Sequence, residues 1–110
     1  MNKTSSNSSK TNKNKKVMTD AEVKRKAVKL VISHMKKKIS QDFVGVELVK
    51  EWIEEMDKLL AKPEFEIAEY IHMRRNLNDV IERILDENMR FKLRDSWYSF
   101  GRALDKKVKL

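Results

Sequence analysis

The chain has 110 residues and a net charge of +8, which allows one domain at most. Two Gly, one Pro and 38% charged residues favour helices over turn-rich β structure. The absence of Cys excludes disulfides and thiol chemistry, and no apolar run is longer than Leu30-Val31-Ile32, too short for a membrane span or a signal-peptide core. The expectation is a cytoplasmic protein.

The charge is unevenly spread. Residues 1–16 carry five Lys and no acid, and residues 17–39 carry seven bases against two acids. The middle is acidic: residues 40–62 have three bases and six acids, and residues 63–89 have three bases and seven acids. Residues 90–110 return to seven bases and two acids. Basic ends around an acidic middle suit contact with a polyanion. They equally suit basic outer helices packed beside acidic inner ones.

Residues 1–16 hold one apolar side chain, Met1, and cannot offset their ordering entropy, so a disordered basic arm is expected. The first helix should start at Thr19, where Thr-Asp-Ala-Glu reads as a capping box. Its pattern continues to about Ile39. Ala27, Val28, Leu30, Val31, Ile32 and Met35 share a broad apolar arc that also takes in His34. Such a His is expected to be packed. Arg25, Lys26, Lys29, Lys36 and Lys37 occupy the opposite arc.

Ser40-Gln41-Asp42 offers a cap for a second helix, running from Phe43 or Val46 to Ala61. Leu48, Val49, Trp52, Ile53, Met56, Leu59 and Leu60 form its apolar stripe. Glu47, Glu51, Glu54 and Glu55 lie on the solvated side, with Glu54 and Lys58 spaced to pair. A third helix is expected over Pro63–Met89, with Pro63 in its first position. Tyr70, Ile71, Leu77, Ile81, Ile84 and Leu85 share its apolar face. Arg74 and Asn78 interrupt that face one turn apart. They form either an internal polar lock or a partner-reading pair, because a buried guanidinium needs a partner, a ligand or a route to water. A phase shift near Asp86–Phe91 marks a break, with Asn88 as a helix-ending residue.

The last helix spans about Phe91 to Lys107, with Leu93, Trp97, Phe100 and Leu104 buried and Gly101 allowing close approach. Arg94, Tyr98 and Arg102 recur at intervals of four, with Lys106 nearby. An aromatic between two Arg is the pattern that stacks on a base while holding phosphates.

No phosphate loop, nucleophile set, metal-ligand spacing or inward carboxylate pair occurs, so catalysis, a cofactor and a metal are not expected. The helical segments are too long for a helix-turn-helix. The reading is an all-α, small four-helix bundle-like domain over residues 17–110 behind the arm. Its expected role is that of a non-enzymatic nucleic-acid-associated regulatory or accessory protein. Phosphate backbone would be held by Arg25, Lys26, Lys29, Lys36, Lys37, Arg94, Tyr98, Arg102 and Lys106. The alternative is a protein-binding module, such as an inhibitor, immunity or assembly factor, using an amphipathic groove or a homodimer face; the expected partner is nucleic acid or an acidic protein surface.

Overall fold

The computed structural model describes residues 18–109. The basic arm expected over residues 1–16 lies outside them. Four helices follow one another: α1 (Asp20–Lys38), α2 (Val46–Leu60), α3 (Ile67–Glu82) and α4 (Glu87–Leu104). Among the described residues there is no strand. No helix is long and apolar enough to cross a membrane.

Sequential neighbours run antiparallel, and α4 returns to lie along α1, which closes the four into a ring. The α1/α4 contact is the most extensive, followed by α3/α4. Its direction is fixed at both ends. The Lys24 ammonium donates to the Lys106 carbonyl, and the backbone N–H of Val108 donates to Asp20 Oδ1 at 2.8 Å. At the other end Lys38 Nζ donates to the Lys92 carbonyl at 3.0 Å and to Ser96 Oγ at 2.8 Å.

The start of α1 follows the sequence reading. Thr19 Oγ1 accepts from the Glu22 N–H at 3.1 Å, and Glu22 Oε1 accepts from the Thr19 N–H at 2.7 Å. Lys36, Lys37 and Lys38 fall in the last turn, where the helix dipole favours them. The cap of α2 differs from expectation. It is Gly45, not the Ser40–Asp42 stretch, and Gly45 adopts φ 93° with no side-chain cap. A Cβ at that position would stand 3.0 Å from Ile84 Cδ1, so the α1–α2 connection presses on the α3–α4 connection there. Both the positive φ and the close approach call for glycine.

The third helix is shorter than its periodicity suggests. It begins at Ile67 after Glu66, so Pro63 lies in the preceding connection and not in the first turn. Phe65 in that connection stacks on Tyr70 with ring centroids 4.3 Å apart. The helix ends at Glu82, and the break comes at residues 83–86, before the position expected. Asp86 then caps α4, its Oδ1 accepting from the Met89 N–H at 2.9 Å, which places Asn88 inside a first turn and not at a helix end. The wheel loses meaning past Glu82, and Ile84 is buried while Leu85 is exposed.

The core runs the length of the ring: Val28, Ile32 and Met35 from α1; Val49, Trp52, Ile53 and Met56 from α2; Tyr70, Leu77 and Ile81 from α3; Leu93 and Phe100 from α4. Each fully buried aliphatic or aromatic side chain contributes about 1.5–3 kcal/mol of transfer free energy. The polar atoms of two buried aromatics are matched. The Trp52 indole N–H donates to the Met73 carbonyl at 2.8 Å, and the Tyr70 hydroxyl donates to the Leu59 carbonyl at 3.4 Å. Two expectations for α1 fail. Leu30 and His34 are both exposed, because the apolar arc of α1 is wider than the surface that α2 and α4 cover. On α2 the pair that forms is Lys58 with Glu55 at 3.2 Å, one position from the Glu54 expected.

Candidate functional site

The ring order sorts the charges. The basic helices α1 and α4 share one side of the bundle, and the more acidic α2 and α3 share the other. Within the basic side the candidate residues divide by what their side chains touch.

Arg25 is turned inward along the bundle end. Its Nη1 donates to the Leu60 carbonyl at 2.7 Å and the Lys62 carbonyl at 2.9 Å, and its Nη2 donates to the Pro63 carbonyl at 3.1 Å. These acceptors include carbonyls that the end of α2 leaves open, so a cation from a neighbouring helix does the work of a C-terminal cap. Lys36 pairs with Asp57 across the α1/α2 groove at 3.1 Å. Arg94 turns towards α3, donating to Asn78 Oδ1 and to Glu82 Oε2, the latter at 3.0 Å. Lys26 and Lys37 are exposed on the outer side of α1, and Lys29 is exposed beside the α1/α2 groove. Arg102 and Lys106 are exposed along the α1/α4 groove, which also holds Leu30. Arg102 Nη2 donates to Ser99 Oγ at 3.1 Å. Tyr98 is exposed and meets Trp97 edge-on at 5.2 Å between centroids.

Arg74 and Asn78 do not pair with each other. Each is held by a different residue of α4. Asn78 accepts from Arg94, while Arg74 forms a reciprocal clasp with Trp97. The guanidinium Cζ sits 3.6 Å from the centroid of the Trp97 ring. Arg74 Nε donates to the Trp97 carbonyl and the Trp97 indole N–H donates to the Arg74 carbonyl, each at 3.1 Å. Gly101 makes room for this. A Cβ there would stand 2.5 Å from Arg74 Nη2 and 2.6 Å from Cζ. Burial pushes the guanidinium below its ordinary pKa, opposed by the negative charge of Asp105 and by Tyr98. Among the described residues no carboxylate reaches ion-pair distance from Arg74.

The clasp lines a groove of about 1030 Å³ between α3 and α4, together with the apolar Ile67, Ile71, Tyr98 and Leu104 and the charged Arg75, Arg102, Asp79 and Asp105. Sequence reasoning missed Trp97 as the platform for Arg74. The one available signal was Gly101, a turn after Trp97 on the same helix. It also missed Lys24 and Lys38 as ties between α1 and α4. Among the described residues no three His, Cys, Asp or Glu side chains gather as a metal site would require. No family model, curated protein or solved structure matches the chain.

Proposed function

We propose that this protein is a non-enzymatic accessory protein that binds the phosphate backbone of nucleic acid along the face shared by α1 and α4. The observation that carries the reading is the extensive antiparallel pairing of those two basic helices. Lys26 and Lys37 exposed on α1, and Arg102 and Lys106 along the α1/α4 groove, supply positive charge to this face, with Lys29 on its far edge beside the α1/α2 groove. Side chains of this kind contact phosphates by displacing condensed counterions, with little regard for sequence. Arg25, Lys36 and Arg94 contribute mainly field, since their donors are engaged within the protein. The five Lys of residues 1–16 add sequence-tolerant affinity in the same manner.

The test is fluorescence anisotropy with labelled duplex and single-stranded oligonucleotides over a salt series. The full chain should bind at low salt, with the log affinity falling by about 0.9 per phosphate contact for each decade of salt on duplex. Reversing Lys26, Lys37, Arg102 and Lys106 to Glu should weaken binding and flatten that slope. Reversing Lys50 and Lys58 on α2 should leave both unchanged. The reading fails if neither oligonucleotide binds at low salt, or if both sets of reversals act alike.

The alternative reading, a protein-interaction module, draws on a different observation, the clasped Arg74 in the α3/α4 groove.

A further inference from the structure

We infer that the α3/α4 groove is a recognition site for an acidic, apolar peptide segment of a partner protein, with Arg74 receiving a carboxylate. The site adjoins the polyanion face, with Arg102 on the border of both; it follows the alternative reading and turns on Arg74, which the polyanion face does not use, so either can fail alone.

The guanidinium is preorganised. The Trp97 ring lies against its flat side, its Nε is committed to the Trp97 carbonyl, and the missing side chain of Gly101 leaves the space it fills. Both Nη groups lack a hydrogen-bonded partner among the described residues, and Arg74 borders the groove. An Arg fixed in this way offers a two-toothed edge that matches a carboxylate, and the ordering cost is met before the ligand arrives.

The groove walls specify what the carboxylate is attached to. Ile67, Ile71 and Tyr98 are 39%, 42% and 53% exposed, an apolar surface beside the charge. A free anion would leave these side chains in water, whereas a segment with aliphatic neighbours on either side of an acid would cover them. A trough between two antiparallel helices accommodates such a segment as a helix laid along it. Asp79 and Asp105 decide between anions. With Arg75 and Arg102 they leave the groove only slightly positive around Arg74. One carboxylate charge suits that balance. A phosphate, with up to two charges, exceeds it.

The probe is an acetylated, amidated peptide with Glu flanked on each side by Leu, compared with the same peptide carrying Gln. Binding is read by NMR from the Arg74 Nε–H and Trp97 indole N–H resonances of the full chain. The Glu peptide should move both resonances saturably, and the Gln peptide should bind about tenfold more weakly. Arg74→Gln should abolish the difference between the peptides, with circular dichroism confirming the fold. Ile67→Ser with Ile71→Ser, at exposed positions, should weaken both peptides while keeping the preference for Glu. The inference is overturned if neither peptide moves these resonances or if the two bind equally. It is also overturned if inorganic phosphate moves them at lower concentration than the Glu peptide. Shifts that depend on protein concentration alone would assign the groove to a second copy of this chain and likewise overturn it.

Discussion

Substituting Gly101 by Ala should destabilise the protein, although Ala is the better helix former. The added Cβ would fall 2.5 Å from Arg74 Nη2, 2.6 Å from Cζ and 3.0 Å from Nε, so the guanidinium must leave. Because it is the far end of a flexible side chain, the steric cost itself is small. What is lost is the stacking on Trp97, about 1 kcal/mol, and the bond from Nε to the Trp97 carbonyl, about 1 kcal/mol net. Against this stands about 1 kcal/mol gained from replacing Gly by Ala inside a helix. The balance is a loss of about 1 kcal/mol, or a fall in Tm of about 4–8 °C for an ordered region of this size. In an Arg74→Ala background the guanidinium is already gone and only the propensity gain remains, so Gly101→Ala should then stabilise by about 1 kcal/mol. The coupling between the two sites is therefore about 2 kcal/mol, readable by urea denaturation of the four proteins of the cycle. Stabilisation by Gly101→Ala to the same extent in both backgrounds would refute the clasp as the reason for glycine here.

Ile84→Ala should cost about 2–5 kcal/mol and Leu85→Ala about 0.5 or less, because only Ile84 is buried; denaturation midpoints check this. Thr19→Ala should cost about 1 kcal/mol through the loss of the capping box, seen as a lower Tm. Burial is the largest influence on Tyr70 and pushes its hydroxyl pKa up, with Arg25 pulling down and Glu69 pushing up less strongly. The folded state thus holds that proton more tightly than the unfolded chain. Its contribution to stability is full below about pH 10, the unfolded value, and is lost as pH rises through the higher folded value. Urea midpoints of wild type should therefore fall more steeply above about pH 10 than those of Tyr70→Phe, and parallel curves would count against the assignment.

The fold was largely readable along the chain because each helix carries its own marks. Thr19 and Glu22 announce the start of α1, and the stripe from Val49 to Leu60 places the core side of α2. The ends that periodicity missed are decided by residues elsewhere in the chain. Pro63 could open a helix on local grounds, but the Pro63 carbonyl is an acceptor for Arg25 of α1 and Phe65 stacks on Tyr70, and the chain stays non-helical to Glu66. Beyond Glu82 the same wheel treats Ile84 and Leu85 alike, and only tertiary packing separates them. The candidate site shows the same division. Arg74 stood out as a cation on an apolar face, yet its platform comes from α4, and nothing local to α3 names Trp97. The basic arc of α1 was apparent as composition, whereas the engagement of Arg25 and Lys36 depends on carbonyls at and just beyond the end of α2 and on its carboxylate Asp57.

The α1/α4 seam bears on how the protein acquires its structure. It is the most extensive contact in the molecule, and it joins segments at opposite ends of the described chain: Lys24 and Lys106 are 82 residues apart, Asp20 and Val108 88. A chain leaving the ribosome therefore carries α1, α2 and α3 before the main partner of α1 has been made. Closing that distance carries an entropic cost that local helix formation does not refund, so the seam should form late and together with the rest of the core. Local opening there is equally disfavoured, since releasing α4 uncovers the inner sides of both α1 and α3. Four separately marked helices thus become a single cooperative unit only when the last of them arrives.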